Sequence, residues 1–289
     1  MNCRGPSYTP RRGFLNRIVG GLLGLAGAAA WPRRDFAVAN TDFPGPPPPV
    51  AGLAACGSFR VTAAIDGDTL DLADGSRLRL GNIEAPKDLA ADGDAEMAAL
   101  AREARLELAR LATGRSLRLY CDRAASDRHR RRVAQAVDAD GNWLQAEMVK
   151  RGLARVHGQA DHRLGLRELL PIEAAARDAG SGLWRLPAFA VRRAAAPDLS
   201  RLSGSFQIVA GRVLAAERHG ALGFVNFGPD RHADLTLVLK KDALKLFDAS
   251  NIAIEGLRDR EIRCRGWLTA FNGPNIEITH PEQIEILES

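Results

Sequence analysis

Ile65-Asp66-Gly67-Asp68-Thr69, followed by Leu78-Arg79-Leu80 and then by Glu84-Ala85-Pro86-Lys87, is the stretch that decides how this chain is read. The first phrase sets two carboxylates around a glycine at a strand junction, a tight turn carrying hard oxygen donors. The second places a guanidinium on a short alternating strand. The third adds an acid and, three residues later, a lysine. Hydrolysing a phosphodiester needs a cation on a phosphoryl oxygen, donors for the remaining oxygens and a base for water. Asp68 and Glu84, helped by the carbonyl of Ala85, are the residue types that hold Ca²⁺. Arg79 and one arginine of the run Arg130-Arg131-Arg132 are the types that grip phosphate bidentately. Taken singly, each has a bland reading: a common turn, an exposed strand residue, a solvated loop. The argument for a site rests on their combination.

Residues 59–65, 68–72 and 77–83 alternate like half-buried strands, with Ala73-Asp74-Gly75-Ser76 as a turn. A helix is expected over 93–111, with Met97, Leu100, Ala104, Leu108 and Leu111 on one face. Short strands follow at 117–120 and 133–137. Further helices are expected at 142–150 and 163–179, closed by Gly152 and Gly180. The class is mainly β with α, a small five-stranded barrel capped by three helices.

This part of the chain resembles the staphylococcal nuclease-like (thermonuclease) family over roughly 130 residues, here 56–187. Asp66-Gly67-Asp68-Thr69 resembles its signature turn and Leu78-Arg79-Leu80 its arginine strand. Asp127-Arg128-His129-Arg130-Arg131 falls where the family carries an aspartate, a glycine and its second catalytic arginine. Trp143 to Ala154 resembles the next helix, with its Gly-Leu-Ala ending, and Gly180-Ser181-Gly182-Leu183-Trp184 resembles the closing Gly-x-Trp. The resemblance implies an oligonucleotide-binding-type barrel in which Asp68 and Glu84 are metal ligands, and Arg79 and Arg131 clamp phosphate. It implies a Ca²⁺-dependent nuclease acting on single-stranded nucleic acid or another phosphate ligand. Three positions depart from the pattern. Lys87 stands where the family carries the glutamate that orients or deprotonates the attacking water, and a lysine there is a cation that only donates. Glu84 is one methylene longer than the usual aspartate. Arg130 replaces the glycine before the second arginine, which leaves open which of Arg130, Arg131 and Arg132 faces the site. Asp88, next in sequence, is a candidate substitute base. The resemblance also brings the start of the first strand beside the end of the fourth, which makes Cys56 and Cys121 a disulfide candidate; the alternative is two separate thiols.

Arg11-Arg12 followed by Gly13-Phe14-Leu15 resembles a bacterial twin-arginine export signal, and 18–31 is apolar but short for a membrane span. Ala37-Val38-Ala39 and Ala28-Ala29-Ala30 are competing cleavage sites, and the export route leads to the periplasm or outside the cell. Residues 1–39 carry a net charge of +5 and so does the whole 289-residue chain, so the remainder is formally neutral. Net charge is therefore no argument for a polyanionic partner. Residues 40–55 are proline-rich and read as an extended tether.

Residues 188–204 show no pattern and read as a linker. From 205 to 289 a second strand-rich block begins: 206–214, 222–227, 235–239, a helix at 242–247, then 261–269 and 276–279. By element order alone this block resembles a second, smaller barrel of the same oligonucleotide-binding type. Its ten Lys and Arg against twelve Asp and Glu argue for protein contact over nucleic acid. Cys264 reads as a buried apolar residue. The chain as a whole reads as an exported protein acting on nucleic-acid phosphodiesters, with catalysis weakened at Lys87. The alternatives are a non-catalytic phosphate-binding module and an envelope protein-interaction protein.

Overall fold

A computed structural model describes residues 50, 52–87, 95–121, 126–230, 232–270 and 272–287. The leader and most of the tether lie outside the described residues, as does Asp88. Among the described residues no helix is long and apolar enough to cross a membrane.

The first unit runs β1 (Ala54–Ala64), β2 (Thr69–Leu72), β3 (Arg77–Leu80), β4 (Ile83–Glu84), α1 (Ala95–Ala112), β5 (Ser116–Cys121), β6 (Arg132–Val137), α2 (Leu144–Lys150), β7 (Arg155–Val156) and α3 (Leu166–Asp178). Five of these strands close a barrel in the order β1-β2-β3-β6-β5, with β5 returning antiparallel to β1 and β3 parallel to β6. Alternation supplies the filling: Leu70 and Leu72, Leu78 and Leu80, and Leu117 and Leu119 all point inward and are buried. α1 lays Leu100, Ala104, Leu108 and Ala112 onto this core, at the spacing that keeps one helical face apolar. β4 and β7 form a separate two-stranded ladder, Ile83 opposite Val156 and Glu84 opposite Arg155.

Two expectations change here. The first strand starts at Ala54, five residues earlier than its alternation suggests, because its upstream half pairs with β5 as far as Ala54 opposite Cys121. Ala54 and Ala55, at the end of the stretch expected as a tether, therefore belong to the barrel, and Val50 is buried in its core. Cys56 and Cys121 are joined by a disulfide with Cα atoms 5.8 Å apart. The Gly-Leu-Ala and Gly-x-Trp phrases meet each other: a Cβ on Gly152 would lie 2.1 Å from the Ser181 carbonyl, and one on Gly182 would lie 2.2 Å from the Gly152 carbonyl. Both glycines have positive φ, so two turns interlock backbone against backbone.

Residues 188–204 are not patternless. They contain β8 (Arg192–Arg193), which pairs parallel with the next strand, and a 3₁₀ turn, Leu199–Leu202. The second unit follows with β9 (Phe206–Arg212), β10 (Ala215–His219), β11 (Leu222–Asn226), β12 (Thr236–Leu239), α4 (Lys241–Ala249), β13 (Glu261–Ala270), β14 (Pro274–Ile278) and β15 (Ile284–Ile286). Its sheet order is β10-β11-β12-β14-β13-β9-β8, with β15 on the edge of β13. β9 and β10 are the two halves of one strand broken at residues 213–214. Read that way, the curled sheet has the strand order of the first barrel, including the parallel pairing of third and fifth strands, β12 with β14.

The two units share a buried ionic joint. Arg265 of β13, 2% exposed, reaches Glu173 of α3, 0% exposed, at 2.8 Å, and Glu285 at 2.6 Å. Glu173 also accepts the Val156 N–H at 2.6 Å. Arg163 makes a bidentate pair with Glu282, both contacts 2.8 Å, and Arg167 joins it at 3.2 Å. Removing one partner of a buried pair leaves an uncompensated charge. Glu173→Ala is expected to destabilise the folded protein by about 3–5 kcal/mol, read as a shift of the urea midpoint at unchanged slope.

Candidate functional site

The site forms where the β1–β2 turn, the end of β3 and the β4 segment converge. Gly67 lets the turn descend, since a Cβ there would sit 2.6 Å from the Ala85 Cβ and 2.7 Å from the Ala104 Cβ. That close approach drives the Asp68 side chain inward until it is fully buried. An ionised carboxylate at such depth needs hydrogen bonds and countercharge, and the neighbouring residues supply both. Its Oδ2 accepts the Ala85 N–H at 2.8 Å; its Oδ1 accepts the Thr69 hydroxyl at 3.1 Å and the Lys87 ammonium at 2.6 Å, with Arg79 at 3.4 Å. Burial alone would raise the Asp68 carboxyl, but Arg79 and Lys87 outweigh it and bring it down to about 2.

Arg79 is 13% exposed and largely engaged. Its Nη1 donates to the Leu80 carbonyl at 2.6 Å, and its Nη2 to the Ile83 carbonyl at 2.7 Å and to Glu84 at 2.6 Å. It therefore braces the turn between β3 and β4. Lys87 also donates to Asp66 at 2.8 Å, while Asp66 accepts the Asp68 N–H at 2.9 Å. Three carboxylates, Asp66, Asp68 and Glu84, thus face two cations, Arg79 and Lys87, and the cluster largely neutralises itself.

Of the arginine run, Arg131 turns toward this cluster. Asp127 accepts both the backbone N–H of Arg131, at 2.9 Å, and its Nε, at 2.8 Å, while Arg131 Nη1 lies 3.4 Å from the Thr69 hydroxyl. Arg130 is exposed, with φ of 61°, a conformation easier for the glycine of the family pattern. Arg132 instead stacks on Phe59, 4.7 Å from the ring centroid, and meets Ser76.

Local sequence did not disclose the residues behind the site. Glu84 is paired in register with Arg155, whose guanidinium lies 4.4 Å over the Phe206 ring of the second unit. His157 sits 3.9 Å from Glu84 and edge-on to Phe206 at 4.9 Å. Burial, reinforced by Arg155 and Arg79, lowers His157 to about 3, so the ring is neutral at physiological pH.

The residues present do not fit a divalent cation. Both oxygens of Asp68 already accept bonds, and Glu84 is held by Arg79. Ala85 meets Asp68 through its N–H, whereas a ligand role needs its carbonyl. Among the described residues no group of three or more His, Cys, Asp and Glu side chains is placed to hold a metal ion.

A closed five-stranded barrel of this strand order is the architecture of an oligonucleotide-binding-type fold. Residues 77–186 match the family model described as staphylococcal nuclease homologue and form a staphylococcal nuclease-like domain. The Asp66–Thr69 turn lies just upstream of the matched residues. No curated protein matches the chain.

The lowered Asp68 carboxyl links the site to stability. A depressed acid contributes stability that is present above its unfolded value, 3.8, and lost as pH falls through its folded value of about 2. Asp68→Asn is expected to flatten the acid dependence of unfolding free energy in that window, measured by urea titrations at stepped pH.

Proposed function

We propose that this is an exported protein whose first barrel binds phosphodiester groups of single-stranded nucleic acid and hydrolyses them weakly or not at all. The family match supports nucleic-acid chemistry of the nuclease type. The observation that carries the reading is the position of Lys87, which lies on Asp68 and Asp66 where the family has its base. A protonated ammonium that donates to two carboxylates cannot take a proton from water. Losing a general base costs ~10²–10⁴ in rate. Ca²⁺, which the family generally uses, has no role in the reading for this chain. Lys87, on Asp66 and Asp68, and Arg131, beside Thr69, are the cations suited to donate to phosphate oxygens.

A second reading, a protein-contact module, is favoured by Arg79: its terminal nitrogens donate to Leu80, Ile83 and Glu84. The acidic balance of the second unit points the same way.

The test uses the full chain and a fluorophore-quenched single-stranded DNA. No cleavage above that of Arg79→Ala is expected, with Ca²⁺ or with chelator. Anisotropy is expected to detect binding with a log–log salt slope of about −1.4 for two engaged cations, falling to about −0.7 in Arg131→Ala. Strong Ca²⁺-dependent cleavage absent from Arg79→Ala overturns the weak-hydrolysis reading. Absence of any binding overturns the nucleic-acid reading in favour of protein contact.

A further inference from the structure

We infer that the Lys87 ammonium is a tethered replacement for the divalent cation of this site, so that the acidic turn is closed to Ca²⁺ and ligand binding there is metal-independent. Lys87 Nζ lies 2.6 Å from Asp68 Oδ1 and 2.8 Å from Asp66 Oδ2. Ca²⁺ sits ~2.3–2.6 Å from its oxygen ligands, so an ion on Asp68 Oδ1 would lie within about 5 Å of the ammonium. Two cations cannot share that oxygen without strong repulsion.

The lysine is also held in place. Ala85 and Pro86, immediately before it, are buried, and the Ala85 N–H is bonded to the other oxygen of the same carboxylate. Asp68 thus fixes the backbone that delivers its own countercharge. Departure of Lys87 would leave Oδ1 of a fully buried carboxylate with the neutral Thr69 hydroxyl at 3.1 Å and, among the described residues, Arg79 at 3.4 Å as its countercharge, and leaving a buried charge underpaired is costly. An ammonium has three N–H groups, and two are directed at the carboxylates. Among the described residues that count leaves one for a phosphate oxygen, the role a bridging metal ion otherwise plays.

The part of this inference that concerns phosphate rests on the function proposed above; the exclusion of Ca²⁺ does not. Calorimetric titration of Ca²⁺ into the full chain, without nucleic acid, tests the exclusion alone. Wild type is expected to show no saturable binding up to about 10 mM, well above the ~10⁻⁴–10⁻³ M of weak protein Ca²⁺ sites. Its melting temperature is expected to be the same in Ca²⁺ and in EGTA. Lys87→Ala, and Lys87→Met as the variant that keeps the apolar stem, are expected to acquire saturable binding that a further Asp68→Asn change removes. Saturable binding to wild type that Asp68→Asn abolishes overturns the inference, as does failure of both folded Lys87 variants to bind. Oligonucleotide anisotropy in Ca²⁺ and in EGTA is expected to agree within about two-fold; a ten-fold loss in EGTA overturns metal-independence. Absence of binding in both buffers counts against the phosphate reading and leaves the Ca²⁺ result standing.

Discussion

The buried carboxylate of Asp68 sets the terms for its end of the barrel. An anion with no exposure to water is tolerated only where hydrogen bonds and positive charge surround it. Two segments are recruited to do this: β3 supplies Arg79, and the stretch that follows β4 supplies both the Ala85 N–H and Lys87. Each of these contacts also fixes something else. The Ala85 contact aligns β4, Arg79 ties two carbonyls of the β3–β4 turn, and Lys87 draws in Asp66. What looks like a catalytic constellation is therefore also a piece of structural bracing, and the two roles compete for the same donors.

The second unit is coupled to this arrangement through the β4–β7 ladder. Glu173 accepts the N–H of Val156 and pairs with Arg265, while Arg155 and His157, on either side of Val156, pack against Phe206. The strand opposite Glu84 is thus clamped between the last helix of the nuclease-like domain and the first strand of its neighbour. Burial, with Arg155 and Arg79 nearby, keeps His157 neutral, so the ring beside Glu84 contributes shape and not charge at neutral pH.

Much of this architecture was legible in the chain because it follows from short-range patterning. The inward leucines of β2, β3 and β5, the apolar face of α1 and the glycines that close α2 and α3 mark their elements directly. The acidic turn and Arg79 stood out for the same reason: they are close in sequence and chemically specific. Where the reading fell short, the cause was long-range pairing. β8 and the first half of β1 have little alternation of their own and are strands because β9 and β5 lie alongside. Arg265 and Glu173 are far apart in sequence, and a charged residue in a strand is ordinarily read as solvent-facing. Lys87 is legible in the chain as the wrong residue for a base, but only the fold shows that its ammonium reaches both carboxylates of the turn.

The shared strand order of the two units makes the second an internal control for the first. Its third strand, Thr236–Leu239, has no charged residue where β3 carries Arg77 and Arg79, and the core beside it is built of apolar side chains, Phe247 and Cys264 among them. The same chain therefore contains the scaffold twice, once with a buried charge cluster and once with an apolar interior at the same strand. The strand order therefore does not by itself call for an acidic turn; the ionic cluster is particular to the first barrel, whose end it braces.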